Sequence, residues 1–179
     1  MRITSGVYKG KKLHSLSGDG IRPTSDMVKQ AVFNVIQFDI AGTNALDLFC
    51  GSGAMGIEAL SRGCKSVVFN DHSRDSIGVL KKNLDALNAK DARIYCLDYK
   101  SACSRLEAAG EKFGFIFIDP PYGDGMGVEA VERCASIAEA GAVIIHEYRY
   151  SGTANNYRIE CQQVRTKKYG STAVDFIYL

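Results

Sequence analysis

The chain has 179 residues, 46% hydrophobic and 23% charged, which is enough apolar material for a core and excludes a disordered or fibrous chain. No apolar run approaches the roughly 20 residues needed to cross a bilayer, and Met1-Arg2-Ile3-Thr4 lacks the apolar stretch of a secretory signal, so a cytoplasmic protein without a membrane partner is expected. The formal charge of +2 is too small to announce a partner, and six scattered cysteines without a C-x-x-C pair predict reduced, mostly buried thiols, with neither zinc nor disulfides.

Charge gathers at the start. Residues 1 to 30 carry Arg2, Lys9, Lys11, Lys12, Arg22 and Lys29 against Asp19 and Asp26, a local +4 that leaves −2 for the remainder. Residues 2 to 14 read as a small basic hairpin, in which Gly10 tightens the turn and sets Lys9, Lys11 and Lys12 on one exposed ribbon. Such a ribbon suits phosphate, and it equally suits a solvated terminus. Pro23-Thr24-Ser25 opens a helix with Val28, Val32, Val35 and Ile36 on one side. These elements make residues 1 to 38 an extension of a single domain spanning residues 1 to 179.

From residue 44 onward, short β-like runs alternate with helical patterns, the order of a parallel sheet wrapped by helices. Strands are expected at 45–49, 66–70, 93–97, 113–118 and 142–146. The run at 113–118 is almost wholly apolar and therefore central. Helices are expected at 54–62, stopped by Gly63, and after Ser73, with Ile77, Leu80, Leu84 and Leu87 on one face. A third carries Ala102, Leu106 and Ala109 inward and ends at Gly110, and a fourth spans 128–138. Segments 157–167 and 173–178, joined across Tyr169-Gly170-Ser171, close the sheet as an antiparallel hairpin. The fold class is thus α/β and Rossmann-like, with a mostly parallel seven-stranded sheet.

Gly51-Ser52-Gly53-Ala54-Met55-Gly56 fits G-x-G-x-x-G between a strand and a helix, and Asp71 stands twenty positions past Gly51. The glycines let backbone approach a nucleoside cofactor, the helix N-terminus favours an anionic group, and Asp71 is placed for two ribose hydroxyls. Asp47 decides which nucleoside. It would repel a pyrophosphate, whereas S-adenosylmethionine brings an ammonium that can use an acid. Asp98, at a strand's carboxyl end, could accept from the adenine amino group, with His72 and Tyr99 as walls of the base pocket.

Asp119-Pro120-Pro121-Tyr122 ends the most apolar strand. A carboxylate there is costly unless paired or working, and the prolines fix the direction of the Pro120 carbonyl. An exocyclic amine on a base is a poor nucleophile because its lone pair is delocalised. Asp119 and the Pro120 carbonyl could each accept one N–H, aiming that lone pair at a sulfonium methyl, while Tyr122 stacks on the turned-out base.

Leu46-Asp47-Leu48-Phe49-Cys50-Gly51-Ser52-Gly53, Asp71, Asp98 and Asp119-Pro120-Pro121-Tyr122 resemble the motifs of class I S-adenosylmethionine-dependent amino-methyltransferases. Gly6-x-Tyr8-Lys9-Gly10-Lys11-Lys12-Leu13, Arg22-Pro23-Thr24-Ser25-Asp26 with Phe33-Asn34, and Lys168-Tyr169-Gly170-Ser171-Thr172 are similar to segments of the RsmD family of bacterial 16S ribosomal RNA guanine-N2 methyltransferases. The resemblance implies S-adenosylmethionine held by Asp47, Phe49, Gly51, Gly53, Asp71, His72, Asp98 and Tyr99. It also implies catalysis at Asp119 to Tyr122, no metal, and ribosomal RNA or a small-subunit assembly particle gripped by Lys9, Lys11, Lys12, Arg22 and Thr24. Asn70 departs from the family, which usually has an aliphatic residue there. D-P-P-Y alone is shared with adenine-N6 and protein-glutamine enzymes. A nicotinamide or flavin oxidoreductase also fits the glycine turn, though Asp47 and D-P-P-Y count against it. A non-catalytic RNA-binding protein would leave Asp119 to Tyr122 without a purpose.

Overall fold

The computed structural model describes residues 1–16, 26–121 and 125–179; Arg22, Thr24, the Pro23 helix start and Tyr122 lie outside the described residues. The elements run α1 (Asp26–Ile36), β1 (Asn44–Asp47), α2 (Ala54–Ser61), β2 (Ser66–Asn70), α3 (Arg74–Leu87), β3 (Ala92–Tyr95), α4 (Tyr99–Ala108), β4 (Phe113–Ile118), α5 (Met126–Cys134), β5 (Ala138–Arg149), β6 (Gln163–Tyr169) and β7 (Thr172–Tyr178). They build one seven-stranded sheet in the order β3-β2-β1-β4-β5-β7-β6. Strands β1 to β5 are parallel, and β7 lies antiparallel between β5 and β6. The order reverses between β1 and β4, so a crevice is expected above the carboxyl ends of those two strands. No described helix is long and apolar enough to cross a membrane.

Strand β4 shows why the sheet is buried on both faces. Phe115 and Phe117 point into the layer closed by α1, α2 and α3, with Val32, Phe33, Ile57 and Leu80. Ile116 and Ile118 point into the layer of α4 and α5, with Ala102, Leu106 and Val131. The run at 113–118 is therefore central, flanked by β1 and β5.

Some boundaries move. The helix expected at 128–138 ends at Cys134; a single 3₁₀ turn, Ala135–Ile137, follows, and Ala138 already pairs with Phe113. Ala109 is exposed because α4 ends one residue earlier, and Cys103 takes the inward position. Residues 157–162 are not strand: the Tyr157 hydroxyl turns inward to Asp175 and the Arg158 amide donates to Glu132, so the pairing edge begins at Gln163. Cys50, Cys64, Cys103 and Cys134 are buried free thiols, whereas Cys96 and Cys161 are exposed.

The N-terminal segment forms a hairpin with a single bridge, Arg2 to Lys12, and the Ile3 amide donates to the Lys11 carbonyl at 3.0 Å. It lies along α2. Its tip is fixed where the Val7 amide donates to the Ser61 carbonyl (2.8 Å), and Glu58 accepts from the Thr4 hydroxyl at 2.6 Å and the Thr4 amide at 2.9 Å. Glu58 is fully buried and pairs with Lys29 at 3.1 Å and Arg62 at 2.9 Å. Burial pushes its carboxyl up, but the Thr4 bonds and the two cations outweigh this and hold it below the usual range. Lys29, one of the cations in the N-terminal +4, is itself wholly buried and so lies out of reach of any phosphate.

Candidate active site

Three carboxylates converge at the carboxyl edge, from the ends of β1, β2 and β4. Asp47 is 4% exposed and its Oδ2 accepts the Gly56 amide at 2.9 Å. Burial, with smaller contributions from the Asp119 and Asp71 charges, pushes its carboxyl up to about 7 against that hydrogen bond. The crevice thus gathers negative charge, the polarity that receives a cationic ligand group.

Asp71 shapes the glycine turn before it meets any ligand. Its Oδ2 accepts from the Gly51 amide at 2.9 Å and its Oδ1 from the Ser73 amide at 2.8 Å. That ties the turn after β1 to the start of α3, leaving each oxygen a further lone pair. The two glycines of the turn serve different ends. At Gly53 the left-handed φ of 85° is what calls for glycine, and an added Cβ would also come within 2.3 Å of Leu80 Cδ1 on α3. At Gly51 (φ +52°) a Cβ would project into open space with no atom within 4 Å, a cradle open to a ligand. Ser73 caps α3 as expected.

Asn70 explains its own departure from the family. It is 1% exposed and its Nδ2 donates to the carbonyls of Leu48 and Leu97, each at 3.1 Å, while its Oδ1 accepts the Leu97 amide at 3.3 Å. One buried amide thus pins together the chain leaving β1 and the chain leaving β3. Asn70→Leu strands those backbone groups and should lower stability by about 1 to 3 kcal/mol. Urea unfolding of the two proteins measures this, and an unchanged midpoint would show that the amide staple is dispensable.

The remaining expected cofactor residues line one side. The rings of Phe49 and Tyr99 face each other at 5.6 Å, tilted by 41°. The Tyr99 hydroxyl donates to Glu129 of α5 at 2.9 Å, which fixes the ring. Lys100, Tyr99 and Arg133 push the Glu129 carboxyl down to about 2. His72 is exposed beside Asp71, with its Nδ1 at 3.6 Å. Asp98 is the N-cap of α4 and accepts from the Ser101 amide at 3.0 Å and hydroxyl at 2.6 Å, so both oxygens already hold its own helix.

On the other side of Asp119-Pro120, a cavity of about 480 Å³ opens over the ends of β4 and β5. Pro120, Gly127, His146, Tyr148, Tyr150 and Asn155 are among its walls. Asp119 is half-buried, Pro120 buried and Pro121 exposed. Behind the cavity lies a polar network the sequence reading missed. Asp175, 1% exposed, accepts from the Tyr157 hydroxyl at 2.6 Å, Tyr148 at 3.2 Å, Thr166 at 2.6 Å and Asn155 at 3.3 Å. The Tyr157 oxygen lies 2.8 Å from His146 Nδ1. Burial pushes His146 down to about 4, so it is neutral. The available signal was an acid inside the apolar run 173–178 and a histidine ending the apolar run 142–146.

Of the residues expected to grip RNA, Lys9, Lys11 and Lys12 are exposed on the hairpin. The hairpin tip sits beside Ser61, at the end of α2 away from the glycine turn. The chain returns at His14, where Asn83 joins it to the turn by accepting the His14 amide (2.8 Å) and donating to the Ser52 carbonyl (2.9 Å). The arm's tip thus lies away from the glycine turn, while its return at His14, two residues past Lys12, is tied to it.

The strand order, the glycine turn entering α2 and the acids at the carboxyl edge are those of the class I, S-adenosylmethionine-dependent methyltransferases. More narrowly, the chain belongs to the family described as Conserved hypothetical protein 95, whose model it matches over residues 1–178. It is 42% identical over 123 residues to "Putative rRNA methyltransferase YlbH" of Bacillus subtilis (strain 168), covering 68% of this chain and 67% of that protein. It is 34% identical over 132 residues to "Ribosomal RNA small subunit methyltransferase D" of Haemophilus influenzae, covering 73% and 68% of the two chains. The solved structure "Putative methyltransferase yhhF from Escherichia coli" superposes with a TM-score of 0.88 at 29% identity, over 99% of this chain and 97% of that one.

Proposed function

We propose that this protein transfers a methyl group from S-adenosylmethionine to an exocyclic amine of small-subunit ribosomal RNA, the N2 of a guanine, as the family resemblance implies. The observation that carries the reading is the placement of Asp119-Pro120 between the acid-lined glycine turn and a cavity of about 480 Å³. The cofactor's ammonium and sulfonium suit the acids, and the open space over Gly51 suits the close approach of its amino-acid end. Asp47 takes the ammonium, the spare lone pairs of Asp71 take ribose hydroxyls, and Phe49 with Tyr99 walls the adenine side. Asp98, already capping α4, keeps a further lone pair on each oxygen, as Asp71 does.

The bound cofactor supplies an electrophilic methyl on sulfur. Everything else falls to the chain. Asp119 and the Pro120 carbonyl each accept one N–H of the acceptor amine, drawing the nitrogen toward tetrahedral geometry and turning its lone pair toward the glycine-turn side. As the N–C bond forms, the C–S electron pair stays on sulfur and the nitrogen becomes acidic; Asp119, already hydrogen-bonded to it, receives the proton. Tyr148 and Tyr150 in the cavity offer ring faces for the extruded base.

Incubation with radiolabelled S-adenosylmethionine and small ribosomal subunits from a strain lacking the activity tests this. Label on a guanine N2 is expected, and label on DNA, protein or adenine alone would overturn it. For the hairpin, replacing Lys9, Lys11 and Lys12 together by alanine should flatten the slope of log K against log salt for particle binding by about 2 to 3, at roughly 0.7 to 0.9 per lost contact. An unchanged slope would remove the hairpin from the RNA interface.

A further inference from the structure

Apart from the N-terminal ribbon, a second basic group stands on the catalytic edge. Strand β6 runs in the direction of β5, since both are antiparallel to β7, so it ends on the same edge as Asp119. Arg149, the last residue of β5, and Tyr169, the last of β6, both register with Thr172 of β7. Lys167 therefore shares a face of the sheet with Arg149 across β7, whereas Lys168, the next residue, projects from the opposite face with Tyr148. Arg149 also lines the cavity beside Pro120. Lys168 donates to the Tyr150 hydroxyl at 2.6 Å and lies 3.8 Å from the centre of that ring, which is itself a cavity wall.

Lys29, Arg62, Arg93, Lys100 and Arg133 each have a carboxylate partner, and the acid set among the edge cations is Glu147, which registers with Val174 of β7 as Lys167 does. Residues 149 to 168 carry Arg149, Arg158, Arg165, Lys167 and Lys168 against Glu160 alone, a local +4 in a chain of net +2. Strand β6 is also an open sheet edge, paired only to β7.

Resting on the reading of the protein as an RNA methyltransferase, we infer that the carboxyl ends of β5 and β6 form a phosphate-binding rail for the RNA strand that delivers the acceptor base. Arg149 meets the phosphate nearest the cavity mouth, and Lys167 and Arg165 meet those that follow along the edge strand. Lys168, on the opposite face, holds Tyr150 in the cavity wall. The phosphate backbone is the partner these groups fit: it is polyanionic, extended and repeated, like a row of cations along one strand. Cations on an open edge also keep copies of a protein from pairing edge to edge, and that simpler role must be separated from the first.

The test replaces Arg149, Arg165 and Lys167 together by glutamine, leaving Lys168 in place. Binding to small ribosomal subunits that lack the modification is measured at several salt concentrations, beside the wild type. The slope of log K against log salt should flatten by about 2 to 3, with an affinity loss of about 100-fold near 0.1 M salt, while calorimetry shows wild-type affinity for S-adenosylmethionine. The charge-keeping variant, Arg149→Lys with Arg165→Lys and Lys167→Arg, should restore the slope. An unchanged slope in a folded, cofactor-binding variant overturns the rail. The same unchanged slope with new self-association in sedimentation assigns the cations to edge protection and overturns it equally. A wild-type protein that neither binds nor methylates the particles instead overturns the underlying RNA reading, so the two failures are distinguishable.

Discussion

Asp119→Ala is expected to cut methyl transfer by about 100- to 1000-fold at saturating substrate, the scale associated with removing one preorganised polar group from a reacting centre. The cofactor affinity should hardly move, because Asp119 stands at the end of β4 beside the cavity, while the Gly51 cradle and Asp71 belong to the turn after β1 and the end of β2. Asp119→Asn keeps one acceptor oxygen but not the charge, so its rate should fall between the other two. Single-turnover labelling with a large excess of enzyme over RNA isolates the chemical step, and calorimetry reads the cofactor. A variant that methylates at the wild-type rate would leave the carboxylate with no part in the reaction. One that loses only cofactor affinity would move Asp119 to the other side of the crevice.

Asp47→Asn should act in opposite directions on binding and on stability. In the free protein burial holds this carboxyl at about 7, against an ordinary 3.8. Its folded pKa is raised, so the native state retains a proton that the unfolded chain has released, and stability declines as pH rises from about 4 to 7. Asparagine carries no such charge. At about 1.4 kcal/mol per pH unit, the variant should be more stable than the wild type by roughly 2 to 4 kcal/mol at pH 8, the gain vanishing near pH 4. Cofactor affinity should drop by about 10- to 100-fold at pH 8, through loss of a charge-assisted hydrogen bond to the ammonium. Wild-type affinity should itself weaken by up to tenfold per pH unit below about 7, since Asp47 must then shed a proton on binding, whereas the variant should show no such slope. Thermal unfolding and calorimetry across this range measure both effects. Equal pH slopes in the two proteins would remove Asp47 from the ammonium site.

The sheet was legible because its signals are local. The run at 113–118 reads as buried strand from its own composition, and Gly51-Ser52-Gly53 between a strand and a helix needs no distant partner to be recognised. Local signals also misled: alanines and serines after Cys134 look helical, but the chain straightens there because Ala138 can pair with Phe113 across the sheet. Tyr157 carries strand propensity, yet its hydroxyl is drawn off the sheet edge to Asp175. Long-range polar pairing was invisible for the same reason. Nothing near Asn70 shows that its amide will bridge Leu48 and Leu97, and nothing near Lys29 shows that it will be buried against Glu58. For Asp98 the helix-capping role was the local one, and the structure puts that role first.

The buried carboxylate of Glu58 sets a limit on how this protein could be cut or recombined. Its oxygens are satisfied by Thr4 and Ser5 as well as by Lys29 and Arg62, so the basic arm supplies part of the interior of the domain that carries the glycine turn. Trimming the first sixteen residues would leave two facing charges short of their hydrogen-bond partners inside a core. The arm is thus not a detachable module: a grafted version would arrive without the helix that fixes it, and a shortened enzyme would lose folding along with whatever the arm touches. Changes in this arm are tolerable at the exposed side chains of Lys9, Lys11 and Lys12, and costly at Thr4 and Ser5, which hold Glu58.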